Sequence, residues 1–142
     1  MWRRPSTAGP DRAHGPCAGP IVDAMAAKDV LGRRGEDVAA QYLAKQGLVV
    51  LTRNWRCREG ELDIVATDAG VLVIAEVKTR SGTAYGEPAE SVTPRKVARI
   101  RRITDVWLAA HQVQWCPIRF DVLAVLLEPG RPATIQHYRE AF

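Results

Sequence analysis

Cysteine is scarce in this 142-residue chain, and its pattern excludes two kinds of fold support. Cys17, Cys57 and Cys116 are odd in number, widely spaced and free of any C-x-x-C pair. Neither a disulfide framework nor a structural zinc site is expected, and a reducing cytoplasm fits best. Histidine is equally sparse. His14, His111 and His137 form no ligand pair at helical spacing, so all three read as surface or structural residues. No apolar run approaches the ~18 residues of a membrane span. The opening stretch "MWRRPSTAGPDRAHGPCAGP" lacks the apolar centre of a secretory signal, and its prolines disrupt any amphipathic helix.

That opening mixes Pro, Gly, Ala and Arg without periodicity, so residues 1–27 are expected to form a disordered extension. Helical patterning begins near Met25, which makes Met25 a plausible natural start, with residues 28–142 as the folded domain. The chain is long enough for one domain around one core. Its apolar share of 46% and charged share of 25% are those of a globular protein. A net charge of +4 and a pI of about 9.3 suit a polyanionic partner, although many proteins without one share that balance.

Periodicity divides the domain. Val38, Ala39, Tyr42 and Leu43 make one apolar stripe of a helix from about Lys28 to Gln46, stopped by Gly47. "LVVLTRN" predicts a strand over Leu48 to Asn54, followed by a basic turn, "WRCREG". "ELDIVAT" and "VLVIAEVKT" predict two strands joined through Asp68-Ala69-Gly70. A Gly-rich loop, "SGTAYGEP", leads to a helix from Pro94 to about His111, with proline in its first turn. "IRFDVLAVLL" predicts a strand over Ile118 to Leu127, and "TIQHY" a weak last one. The order implies an α/β fold, a mixed sheet with helices packed on it.

Charge is expensive in buried strands, yet Asp63, Glu76 and Lys78 interrupt two of them. Glu76 and Lys78 are two apart and share a face of their strand, while Asp63 lies in the neighbouring one. Two carboxylates side by side repel, and a hard divalent cation between them removes that penalty. Mg²⁺ takes one or two carboxylates together with waters and phosphate oxygens. A lysine beside it can orient a water or stabilise charge on a phosphate, so the set suits metal-assisted phosphodiester hydrolysis. Glu36 sits at the edge of the first helix's stripe, where its carboxylate could overhang the same pocket. A plain salt bridge of Lys78 to Glu76 or Asp63 is the competing reading. A lone E-x-K would favour it, whereas Asp63 and Glu36 weigh against it.

An acidic residue in one strand and E-x-K in the next resembles the PD-(D/E)XK nuclease superfamily. "GRRGEDVAAQYL", "NWRCREGELDIVA", "AEVKTR", "YGEPAESVTPRK" and "RFDVLAV" more closely resemble the YraN family, poorly characterised bacterial proteins related to archaeal Holliday junction resolvases. The resemblance spans roughly Gly32 to Val125. It implies a restriction-endonuclease-like core and a site with Asp63 and Glu76 as metal ligands, Lys78 as catalytic lysine and Glu36 as the helical acidic residue. It also implies Mg²⁺ (or Mn²⁺) as cofactor, branched or structured DNA as substrate, and a two-fold dimer. Leu62 stands where the superfamily's name motif has proline, and Ile74-Ala75 before Glu76 are smaller than the usual bulky pair. A non-catalytic nucleic-acid-binding or assembly protein that kept the fold is the alternative.

Basic residues surround these positions. Val97, Ile100, Ile103 and Trp107 recur at helical spacing, which leaves Arg95, Arg99 and Arg102 on the opposite face of that helix, beside Lys96. Arg53, Arg56 and Arg58 precede Asp63, and Arg80 follows Lys78. These groups are candidates for contacts with nucleic-acid phosphates, contacts that position a backbone without reading sequence; a solvated helix face is the bland alternative. Tyr85, between glycines, is the candidate for stacking on an unpaired base. Trp55 and Trp115 are expected to pack on the core, and Asp121 to bond Arg119 or a helix N-terminus.

Overall fold

The computed structural model describes residues 23–82 and 92–142, with side chains from Asp29 onward. The element order is α1 (Asp23–Lys45), β1 (Val49–Cys57), β2 (Gly60–Asp68), β3 (Val71–Arg80), α2 (Pro94–Ala110), β4 (Ile118–Leu126) and β5 (Thr134–Tyr138). The extension upstream of Asp23 and the loop carrying Tyr85 lie outside the described residues. Helix α1 begins at Asp23 rather than Lys28. Strand β1 runs through Trp55-Arg56-Cys57, residues expected in a turn, because Trp55, Arg56 and Cys57 pair with Leu62, Glu61 and Gly60. The β2–β3 connection narrows to Ala69 and Gly70, with φ of 48° and 88°. Two successive left-handed residues match the twist of a hairpin, and Gly70 adopts that conformation at little cost.

The five strands form one sheet in the order β1-β2-β3-β4-β5. Pairing is antiparallel except for β3 with β4, which are parallel and joined by the α2 crossover. This is the α/β architecture of a restriction-endonuclease-like core. Period-2 alternation sends Val73 and Ala75 to one face and Leu72 and Ile74 to the other. The first face packs against Ala39 and Leu43 of α1. The second packs against Ile100, Ile103 and Trp107 of α2. Helix α2 starts where Thr93, extended, accepts a hydrogen bond from the Lys96 N–H at 3.2 Å, with Pro94 in the first turn.

One placement corrects the sequence reading and another extends it. Trp115, expected to pack, is 90% exposed. The exposed apolar groups at a sheet edge include Val49 and Leu51 on β1. Asp121 does bond Arg119, through two contacts of 2.9 and 3.0 Å, but it also takes His137 Nε2 at 2.7 Å and the Glu140 N–H at 3.1 Å. Arg119 continues to Asp68, and Tyr42 of α1 reaches His137. This network fastens β5 and the chain end to β4. It also holds the Asp121 carboxyl below the usual range: burial would raise it, and the bonds from Arg119, His137 and Glu140 outweigh burial.

Candidate active site

The β2–β3 ladder runs from Asp68↔Val71 to Ile64↔Ala75 and stops there, one residue short of Asp63 and Glu76. Face alternation also breaks at this point: Leu62 joins the cluster under α2, whereas Ile64 joins the one under α1. In the β1–β2 ribbon the Arg53↔Ile64 and Trp55↔Leu62 pairs flank Asp63 and Asn54, and Asn54 has a φ of 51°. The strands part at Asp63, and its carboxylate replaces the missing ladder acceptor: Asp63 Oδ2 accepts the Val77 N–H at 2.9 Å. A short acidic side chain thus satisfies a backbone donor that the divergence would otherwise orphan.

Glu76 and Lys78 follow Leu72 and Ile74 on the α2 face, as the alternation requires. Lys78 Nζ lies 3.3 Å from Glu76 Oε1. A second lysine reaches the same oxygen: Lys96 Nζ, from the first turn of α2, is 2.8 Å away. Lys96 therefore turns inward, away from Arg95, Arg99 and Arg102, which are exposed. The sequence held a signal for this. Arg95 and Lys96 sit in a first turn with no acidic residue, where the helix dipole disfavours cations unless an anion is near.

Glu36 lies on the other side of the sheet. It lines a cleft of about 490 Å³ between α1 and the end of β3, with Leu31, Val77, Thr79 and Arg80 among its neighbours. The cleft depends on a close approach. A Cβ on Gly35 would collide with the Thr79 side chain, so only glycine lets α1 lie this near β3. Glu36 does not share a face with Glu76; Asp63, where the strands part, feels both. Burial first, then the charge of Glu76, push the Asp63 carboxyl from 3.8 up to about 7; the Val77 N–H opposes this, and Glu36 and Glu61 add to it. Asp63 has no ion pair among the described residues, whereas Glu76 has two.

The two lysines are pushed apart. Burial and the adjacent Lys96 hold Lys78 below the usual lysine range, against Glu76. Burial pulls on Lys96 too, but its bonds to Glu76 and Lys78 outweigh that and raise it. One lysine is thereby set to lose its proton more readily while the other keeps its charge.

The donor set fits a hard cation. The charge of Glu76 reaches Asp63, which has no ion pair of its own among the described residues, and Mg²⁺ needs few protein ligands. Among the described residues no three His, Cys, Asp or Glu side chains gather as a fuller metal cage. Of the other candidate contacts, Arg53 pairs with Asp37 at 2.6 Å, Arg56 with Glu61 at 3.0 Å and Arg102 with Glu59 at 3.9 Å. Arg58, Arg95 and Arg99 make no ion pair among the described residues. Trp55 and Phe142 pack beside the α2 cluster, and Arg101 lies over Phe120 at 5.0 Å. No described helix is long and apolar enough to cross a membrane.

A mixed sheet with a helix on each face and acidic and lysine side chains where two central strands part places the chain among proteins of restriction-endonuclease-like fold. Within that class it belongs to the uncharacterised protein family UPF0102, the YraN family, whose profile matches residues 35–125. It is 57% identical to a UPF0102 protein of Frankia casuarinae over 118 residues, 83% of this chain and 100% of the relative. It is 48% identical to one of Acidothermus cellulolyticus over 132 residues, 86% of this chain and 100% of the relative. An Arthrobacter relative is 50% identical over 115 residues, 81% of this chain and 98% of its own length. None of these relatives carries a functional name.

Proposed function

We propose that the protein is a divalent-metal-dependent endonuclease acting on branched or structured DNA in recombination or repair. One observation carries the reading. Asp63 lies where the strands part, close enough for the Glu76 charge to raise its carboxyl, and it lacks an ion pair among the described residues while two lysines share Glu76. A salt bridge placed for stability would need one lysine and would leave no carboxyl pushed up to about 7. Bound between Asp63 and Glu76, Mg²⁺ or Mn²⁺ would neutralise both carboxylates and supply Lewis-acid polarisation of a phosphate. Lys78, the lysine more ready to lose its proton, in its neutral form orients the attacking water and takes a proton from it, while the departing ester oxygen takes one from solvent. Lys96 and the exposed Arg95 and Arg99 supply positive charge to the phosphate backbone. Paired incision of a four-way junction needs two such sites, so the proposal includes a two-fold dimer.

Labelled linear, flapped and four-way DNA, incubated with and without Mg²⁺ or Mn²⁺, tests the activity. Metal-dependent cleavage by the native protein that Asp63→Asn abolishes supports it. Binding without cleavage under every condition returns the protein to the alternative, a nucleic-acid-binding or assembly protein that kept the nuclease fold. Sedimentation on junction DNA tests the dimer, which a monomer at all concentrations would exclude.

A further inference from the structure

Lys96 is the least expected member of the site. Its backbone is fixed by the Thr93 cap and its ammonium shares one oxygen, Glu76 Oε1, with Lys78. Both lysine side chains are mostly buried, at 20% and 28% exposure, so little solvent separates the charges. Two ammonium groups on one carboxylate oxygen repel each other, and the positive end of α2 adds to that repulsion.

A divalent cation held by Asp63 and Glu76 would compete with the Lys96 ammonium for Glu76, with like charges and little screening between them. Of the two lysines, Lys96 is the one able to leave. Lys78 lies two residues from Glu76 on the same strand face and stays beside it wherever its ammonium points. Lys96 belongs to another element, at the first turn of α2, with four flexible carbons between backbone and charge. Turned away from Glu76, it joins the exposed Arg95 at the helix N-terminus, where the backbone dipole also favours an anion.

We propose that Lys96 and a divalent cation occupy Glu76 in turn: Lys96 holds the carboxylate while the cation is away, and cation binding releases it to a phosphate of the nucleic-acid backbone. The inference rests on the metal site proposed above and adds a coupling to it. Cation and nucleic acid strengthen each other's binding, and by linkage the effect is reciprocal.

Three measurements decide it. In calorimetry without nucleic acid, Lys96→Gln binds Mn²⁺ more tightly than the native protein, by about fivefold or more, because its competitor is gone. In fluorescence anisotropy with a labelled oligonucleotide, the native protein binds more tightly in Ca²⁺ than in EDTA, and Lys96→Gln loses that gain. In acetylation footprinting of the native protein with an amine-reactive ester, Mg²⁺ speeds modification of Lys96 relative to exposed Lys45. Unchanged or weaker Mn²⁺ binding by a folded Lys96→Gln overturns the exchange and leaves the metal site standing. A native protein that binds no Mn²⁺ removes the metal site and the exchange with it. If Lys96→Gln fails to fold, the footprint decides alone: constant Lys96 reactivity in saturating Mg²⁺ overturns the proposal.

Discussion

Asp63→Asn should stabilise the metal-free protein at alkaline pH, although it removes a carboxylate on which the proposed chemistry depends. Asparagine is nearly isosteric, and its side-chain oxygen can still accept the Val77 N–H that Asp63 holds at 2.9 Å. What it loses is a charge that burial and Glu76 make unfavourable. The Asp63 carboxyl is raised from 3.8 to about 7. In the folded chain it therefore holds its proton more tightly than in the unfolded chain. Native stability is unaffected by this group below pH ~4, declines between pH ~4 and ~7, and is reduced by the full amount above that. That rise, at ~1.36 kcal/mol for each tenfold change in proton affinity, sets a ceiling of about 4 kcal/mol. Relaxation and water entry reduce it, so a gain of roughly 1–3 kcal/mol at pH 8 is expected. For a domain of this size that is a rise in melting temperature of about 4 °C per kcal/mol. Thermal melts in EDTA at pH 4 and pH 8 measure it: the variant should match the native protein at pH 4 and exceed it at pH 8. Saturating Mg²⁺ should then narrow or reverse the gap, since ligand binding stabilises only the protein that binds it. An asparagine variant less stable than the native protein at pH 8, or one whose advantage is the same at both pH values, would refute the electrostatic reasoning.

Glu76→Gln should act in the opposite sense, because it leaves Lys78 and Lys96 facing each other without an anion. A loss of about 1–3 kcal/mol in denaturant melts is expected, together with loss of Mn²⁺ binding in calorimetry. Gly35→Ala should cost about 1–3 kcal/mol by forcing α1 off Thr79; a variant of native stability would contradict the close approach. Asp121→Asn leaves the buried Arg119 and His137 short of their carboxylate and should lose about 3–5 kcal/mol at neutral pH. Because the folded-state Asp121 carboxyl is depressed, its stabilisation is present above pH ~4 and is lost as pH falls through the lower folded value, so the difference between variant and native protein should shrink in acid melts. Replacing Arg95, Arg99 and Arg102 by glutamine should flatten the slope of log affinity against log salt by about 0.7–0.9 per lost phosphate contact, and an unchanged slope would make that face a solvated surface.

The sequence by itself determined the elements and the direction of side chains within each. Alternation in "VLVIAEVKT" placed Glu76 and Lys78 on one face, and the stripe of Val97, Ile100, Ile103 and Trp107 turned Arg95, Arg99 and Arg102 outward. Turn chemistry marked the hairpin at Asp68-Ala69-Gly70, and proline marked the start of α2. The family was legible because its blocks occur together and in order. Where β1 ended was not legible, because Trp55-Arg56-Cys57 is held in the strand by Glu61 and Leu62 across the ribbon rather than by its own pattern. Nor was the fate of Trp115, since an aromatic beside a loop packs only if some neighbour covers it. The site needed the tertiary structure most. Strand period fixes where a side chain points relative to its own backbone, and says nothing of where two strands part. Only the end of the ladder at Ile64↔Ala75 put Asp63 on the Val77 N–H, and only the packing of α1 and α2 on opposite faces divided Glu36 from Glu76 and let Lys96 reach a carboxylate twenty residues earlier in the chain. Those contacts join elements distant in sequence, and it is the crossing of α2 over the sheet, which no local pattern encodes, that brings them together.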